Sequence, residues 1–230
     1  MEEYNLQEIR IEDYNSIKEY YQMRRPETAD SNILDLYIWL NCYPTWYFTN
    51  DKGLMWVAKS EDGQYYSSIP CCKDEDLKEC FLETQKYFNE VLQKKLVMYV
   101  VDRAAVDLLQ LPEDEYVVVP DRTYADYVYD AEKLRTFSGK KYHKKKNHLN
   151  AFKREYEGRY EFKFLSKKDE PEILDFLEDW KKHKSDTEEH EFIDSEAVGI
   201  KYILEHEEVF DYKIGAVYVD NKLEAFTIGN

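Results

Sequence analysis

Between Tyr47 and Ile69 the hydrophobic period of the chain changes from helical to alternating. Three short runs, YFT (Tyr47–Thr49), LMWVAK (Leu54–Lys59) and QYYSSI (Gln64–Ile69), are separated by the turn signals NDKG and SEDG. Strands joined by so few residues pair antiparallel, because a parallel crossover needs a dozen residues or more. The spacing therefore predicts a three-stranded antiparallel meander. A second such signal closes the sequence, where KIGAVYV (Lys213–Val219) and KLEAFTI (Lys222–Ile228) flank Asp220 and Asn221 as a hairpin.

Helical spacing fills the intervals. Helices are expected at 12–23 (ended by Pro26), 32–41, 74–93, 103–109, 170–183 and 194–207, with further strands at 6–11, 96–101, 116–119, 124–129 and 160–165. The order of helices followed by an antiparallel meander occurs twice. The fold class is thus α/β of the α+β kind, with mixed sheets in which meanders are flanked by helices. A first domain is expected over 1–129, connecting helices over 130–157 and a second domain over 158–230.

Charge supplies the second constraint. The chain holds 32 Lys and Arg against 48 Asp and Glu, a formal charge of -16. From Lys133 to Arg154, however, there are nine Lys or Arg and no Asp or Glu, so the remainder of the chain stands at -25. An acidic chain gains no solubility by concentrating positive charge, and its surface elsewhere repels polyanions. Asp130 is a plausible N-cap for a short helix 131–137, Gly139 its C′ stop, and a second helix is expected over 140–157. On that helix Tyr142, Leu149, Phe152 and Tyr156 share one side, a core-facing stripe. Lys140, Lys144, Asn147, Asn150 and Arg154 point away from it, and Lys141 flanks it. Lys145 falls inside the stripe and must either snorkel to its edge or reach a partner in a cavity. These seven residues are the candidate phosphate-binding set, with charge from Lys and Arg and directed hydrogen bonds from Asn. The alternative is a solvated basic face balancing acidic neighbours.

Other chemistry is thinly represented. Cys42, Cys71, Cys72 and Cys80 match no zinc spacing, and His183 and His190 with Glu188, Glu189 and Glu191 match no regular metal site. Seven glycines, with no Walker loop and no G-x-G-x-x-G, disfavour a backbone phosphate cradle. Neither a metal nor a cofactor is expected, and no catalytic residue can be assigned. No apolar run is long enough to cross a bilayer, and the start MEEYNLQEIRIEDYNS lacks a basic and an apolar signal region, so the chain reads as cytoplasmic.

Three segments carry a resemblance. YDAEKLRTFSGKKYHKKKNHLNAFKREY (Tyr129–Tyr156), LYIWLNCY (Leu36–Tyr43) and IGAVYVDNKLEAFTIGN (Ile214–Asn230) resemble the bacterial phosphatidylglycerol lysyltransferase C-terminal domain family, over nearly the whole chain and in the same order. The resemblance implies two GNAT-like α/β domains related to the Fem aminoacyltransferases. It also implies transfer of an aminoacyl group from a charged tRNA, with the basic helix near the RNA end or another phosphate-bearing substrate. Two departures matter. Acyl-CoA-using relatives place a glycine-bearing loop after the meander, where this chain has PCCKDEDLKE, so its first half is not expected to bind CoA. The family continues beyond AFTIG, so the second domain is expected to be incomplete, with an open strand edge at 222–228 through which a homodimer could form. Three functions stay open: an aminoacyl or acyl transferase, a non-catalytic RNA or phospholigand binder of the same fold, and a protein whose basic helix meets the acidic surface of another copy.

Overall fold

The first unit is built around one strand buried on both faces. In the computed structural model, which describes residues 4–24, 28–60, 62–183 and 187–230 (the side chains of 187–191 excepted), the strands are β1 (Gln7–Glu8), β2 (Thr45–Thr49), β3 (Gly53–Lys59), β4 (Tyr65–Tyr66) and β5 (Cys71–Cys72). They form one antiparallel sheet in which β3 pairs with β2, β4 and β5. Helices α1 (Tyr14–Tyr21) and α2 (Ile33–Trp39) precede the meander, and Asn32 caps α2 by accepting from the Leu34 N–H at 2.9 Å. Trp56 turns toward α1, its ring 6.0 Å from that of Tyr21. Met55 and Val57 turn the other way, into a core with Leu77, Cys80 and Phe81 of α3 (Leu77–Lys86). The alternation of β3 thus serves two layers, so every residue from Gly53 to Ala58 is buried. Gly53 is required by this packing: a Cβ there would lie 2.6 Å from the Cys72 Cβ and 2.9 Å from the Cys71 carbonyl oxygen.

A single π-turn (Tyr87–Val91) ends α3, and α4 (Arg103–Leu109) follows, capped by Asp102, which accepts from the Ala105 N–H at 3.0 Å. The same carboxylate receives two hydrogen bonds from Arg24, at 2.7 and 2.8 Å. Arg24 is only 8% exposed and Asp102 11%, so this is a buried pair, extended by Asp74 at 3.1 Å from the Arg24 Nε.

The chain divides into two compact units, Met1–Asp126 and Tyr127–Asn230. The second contains α5 (Ala131–Thr136), α6 (His143–Glu155), β6 (Tyr160–Leu165), α7 (Glu170–Lys182), α8 (Thr187–Glu205), β7 (Lys213–Val219) and β8 (Lys222–Gly229). The sheet runs β6–β7–β8, antiparallel throughout. Ile173 and Leu177 of α7 and Ile193, Ile200 and Leu204 of α8 pack on Leu165, Ile214, Ala216, Tyr218 and Leu223 of the sheet. The β7–β8 turn puts Asp220 and Asn221 at φ 51° and 65°, the two left-handed residues of a type I′ hairpin. Among the described residues no helix is long and apolar enough to cross a membrane.

Several expectations are corrected. The sheets are antiparallel rather than mixed: the run 96–101 forms no strand, and its parallel component shrinks to one bridge, Ser67 with Met98. Val100 at φ 51° takes the chain out of the extended region, and Asp102 begins a helix two residues later. The runs 116–119 and 124–129 are not strands either. From Val117 to Tyr129 every residue is exposed, and Arg122–Tyr124 is a 3₁₀ turn. Pro120 interrupts this stretch, and β-branched residues without a neighbouring strand have no ladder to join. The last helix begins at Thr187 rather than 194. The left-handed residue that ends α5 is Phe137 (φ 49°), two positions before Gly139. Pro26 lies outside the described residues.

Candidate functional site

The basic segment is helical, and its stripe is the one expected. Asp130 caps α5 by accepting from the Lys133 N–H at 3.0 Å; that bond, ahead of the Lys133 charge, holds its carboxyl below the usual carboxylate range. A 3₁₀ turn over Lys140–Tyr142 then leads into α6. Tyr142 is buried and Leu149, Phe152 and Tyr156 are half-buried, while every other residue from Gly139 to Glu157 is exposed. The first turn of α6 carries no acidic residue and three consecutive lysines, an arrangement that opposes the helix dipole.

The cations of this segment divide into two classes. Lys133 pairs with Asp130 at 3.2 Å and Arg135 with Glu132 at 2.6 Å, within α5 and its cap. Among the described residues none of the other seven (Lys140, Lys141, Lys144, Lys145, Lys146, Lys153 and Arg154) has an ion pair. Among the described residues, their charge is therefore not absorbed by neighbouring carboxylates.

Lys145 is exposed. Its Nζ lies 4.9 Å over the ring of Tyr129, and Lys141 lies 5.6 Å over the ring of Tyr142, so both cations rest on aromatic faces at the start of the helix. Tyr129 and Tyr142 are neighbours, with ring centroids 6.5 Å apart. Among the described residues the buried Tyr142 hydroxyl has no hydrogen-bond partner, an acceptor and donor left over beside lysines that have no ion pair there.

At the other end of α6 an open groove of 640 Å³ is lined by Asn150, Lys153, Arg154, Glu157, Gly158 and Tyr160. The structure thus brings Asn150 and Arg154 together. Lys140, Lys144 and Asn147 remain on the exposed face outside the groove, and Lys145 to Arg154 spans about 13 Å of helix axis at 1.5 Å per residue. The set is thus a cationic row strung along the helix rather than a cluster at one point. Lys153 is noticeable in the sequence only as one more lysine. Gly158 and Tyr160 carry no charge signal, yet the left-handed turn at Gly158 (φ 73°) is what folds Tyr160 back beside the helix, with its ring 5.2 Å from Phe152.

The rest of the unit offers less. Tyr218 is buried and donates to Glu172 at 2.5 Å; burial first, and then this carboxylate, raise its phenol well above the ordinary value. Arg159 donates to both carboxylate oxygens of Asp220, clamping the hairpin turn. Among the described residues no group of three His, Cys, Asp or Glu is placed to hold a metal ion. His183 bonds the Asp179 carbonyl oxygen at 2.7 Å, and the side chains of Glu188, Glu189, His190 and Glu191 lie outside the described residues.

Comparison with known proteins gives three matches. A family model described as "Phosphatidylglycerol lysyltransferase, C-terminal" matches residues 22–230. An uncharacterised protein of Mycoplasmoides gallisepticum is 28% identical over 100 residues, which is 44% of this chain and 32% of that protein; the match spans about a third of the relative's length. The crystal structure of a conserved protein of unknown function from Bacteroides thetaiotaomicron superposes with a TM-score of 0.84 and 25% identity, covering 99% of this chain and 75% of the other.

Proposed function

Because the chain belongs to the phosphatidylglycerol lysyltransferase C-terminal family, matched over residues 22–230, we propose that it is a transferase-type protein whose α6 holds a phosphate-bearing donor such as the end of an aminoacyl-tRNA. In this reading each of the two units keeps the GNAT-like, Fem-related fold that the family resemblance implies. The observation that carries it is the set of seven cations that have no ion pair among the described residues, on one segment of a chain whose formal charge is -16. Lys140, Lys141, Lys144, Lys145 and Arg154 supply charge along the row, and Asn147 and Asn150 supply directed amide hydrogen bonds. An aminoacyl ester is already activated. The protein then has chiefly to position it against an acceptor amine or hydroxyl and to stabilise the developing oxyanion.

Binding and turnover test this separately. Affinity for charged tRNA should fall steeply with salt, and replacing Arg154 and Lys144 with Gln should weaken it and flatten the salt slope by about 0.7 to 0.9 for each phosphate no longer neutralised. Affinity indifferent to salt and to both replacements overturns the reading. Transfer of labelled amino acid to an acceptor identifies an enzyme, and tight binding without transfer identifies a non-catalytic phospholigand binder. The outer edge of β8, which pairs with β7 alone among the described strands, is where a second copy would add; sedimentation reads that directly.

A further inference from the structure

In the first unit two buried thiols converge on one point. Cys72 lies on β5, opposite Gly53 of β3, and Cys80 lies in the first turn of α3. Gly53 carries no side chain, and a Cβ built there would sit 2.6 Å from the Cys72 Cβ and 3.0 Å from the Cys80 Sγ. The two cysteines therefore border the same gap, one that only glycine leaves open. Both belong to the core cluster that holds Met55, Val57, Leu77 and Phe81, and both are 0% exposed. Cys71, next in the chain, points to the other face of the strand.

A cysteine in a core commonly serves as a small apolar residue. This pair differs because each thiol is the other's hydrogen-bond partner. The bond, ahead of burial, pushes the Cys72 thiol up. It draws the Cys80 thiol down against burial and the carboxylates of Asp76 and Glu79, with Lys52 assisting. Cys80 is thus the sulfur that ionises first, and a second thiol already stands beside it. An activated sulfur next to a resolving cysteine is what reversible thiol oxidation requires. Burial withholds the pair from bulky alkylating reagents, which must wait for unfolding. Hydrogen peroxide is close to water in size, and β5 is two residues long, so a local fluctuation of that strand is enough to admit it.

We propose that Cys72 and Cys80 form a modification site, a dithiol that a peroxide converts reversibly into a disulfide tying β5 to α3. The Cys80 thiolate attacks one oxygen of hydrogen peroxide; the O–O bond breaks, a sulfenic acid forms on Cys80, and the departing hydroxide takes up a proton to leave as water. The Cys72 sulfur then attacks the sulfenic sulfur, so that the S–S bond forms, the S–O bond breaks, and a second water leaves with the Cys72 proton. Two thiols are oxidised and one peroxide is reduced to two waters. The closed ring spans residues 72–80 and fixes the segment that carries Asp74, whose carboxylate lies 3.1 Å from the Arg24 Nε. Every group involved lies within Met1–Asp126, so the inference stands apart from the reading of α6.

The experiment treats the full folded chain with hydrogen peroxide, alkylates the remaining thiols in urea and maps tryptic peptides by mass spectrometry. Lys73 and Lys78 lie between the two cysteines, so trypsin separates them and a disulfide joins two peptides. The expected result is loss of two hydrogens from the intact chain, a Cys72–Cys80 cross-link and its disappearance after dithiothreitol. Urea unfolding of the oxidised protein should show an unfolded population lower by about 10- to 100-fold, the effect of closing a loop of this length. Cys72→Ala should leave Cys80 to proceed to sulfinic or sulfonic acid, and Cys80→Ala should leave Cys72 free for alkylation in urea. Should either variant fail to fold by circular dichroism, the map of the unsubstituted chain decides alone. Sulfinic or sulfonic acid without a cross-link in that chain overturns the proposal, as does a disulfide through Cys71 or between molecules. Cross-linking that requires urea, or full recovery of alkylated Cys72 and Cys80 after peroxide, overturns it as well.

Discussion

Lys144→Glu should stabilise α6 while weakening anion binding, and this opposition tests whether the basic segment exists for a ligand. Lys144 is exposed, without an ion pair among the described residues, and sits in the first turn of α6 with Lys140 and Lys141 one turn before it. Each like-charge neighbour at that spacing destabilises a helix by about 0.2 to 0.5 kcal/mol, and a cation at the N-terminus opposes the dipole by about 0.3 to 1 kcal/mol. Reversing the charge should therefore gain on the order of 1 kcal/mol, equivalent to about a fivefold change in a local opening equilibrium. Amide hydrogen exchange along α6 should slow by about that factor at low ionic strength. The gain should vanish in 1 M salt, where the screening length is about 3 Å. Phosphate affinity should fall in the same variant. Faster exchange in Lys144→Glu, or slower exchange with unchanged anion affinity, would refute the argument that these lysines are kept against the interest of the helix.

Other sites yield sharper structural tests. Gly53→Ala forces a Cβ to within 2.6 Å of Cys72, 2.9 Å of the Cys71 oxygen and 3.0 Å of the Cys80 Sγ, an overpacking expected to cost about 1 to 3 kcal/mol in urea unfolding; a loss near zero would mean that β3 and β5 can part freely. Asp102→Asn keeps the cap acceptor of α4 but leaves Arg24 with only the exposed Asp74 as counter-charge, so it should cost about 1 to 3 kcal/mol by the same measurement. Burial first, and then Glu172, raise the folded-state pKa of Tyr218, and burial pushes Tyr66 up to about 12. Their contribution to stability is complete below pH of about 10, where an unfolded tyrosine titrates, and is lost as pH rises through the folded values. Alkaline unfolding followed by circular dichroism should therefore begin above about pH 10, and Tyr218→Phe should blunt it. Cys72 and Cys80 are fully buried, so thiol reagents should reach them only on unfolding, as a mass-spectrometric labelling series in urea can show.

The parts of the fold legible in the sequence are those set by local chemistry. Both hairpin systems could be read because alternation and turn residues sit side by side, and Asp220 and Asn221 adopt the left-handed pair their types permit. The caps at Asn32 and Asp130 and the stripe through Tyr142, Leu149, Phe152 and Tyr156 were legible for the same reason. The segments 96–101 and 116–129 were not. Their β-branched and aromatic residues report a preference, whereas a strand needs a neighbour with a free edge, and no local pattern encodes that. At the site, charge and its face could be read from Lys140 to Arg154. The cation–aromatic seat of Lys145 depends on Tyr129, sixteen positions earlier in the chain, and the groove depends on the turn at Gly158. Which side of β6 meets the helices was likewise hidden, because the pattern YEFKFL argues for burying the rings that the structure leaves open.

The short turn between α6 and β6 has a further implication. Only residues 156–159 separate the helix from the strand, and their backbone is tied at both ends, Tyr156 N–H to the Phe152 oxygen at 3.0 Å and Asp220 N–H to the Arg159 oxygen at 2.9 Å. The helix and the strand are thus held in one fixed geometry before any guest arrives. Little conformational freedom remains there to be lost on association, so an occupant spanning both elements would be received by a preformed mould at little cost in ordering.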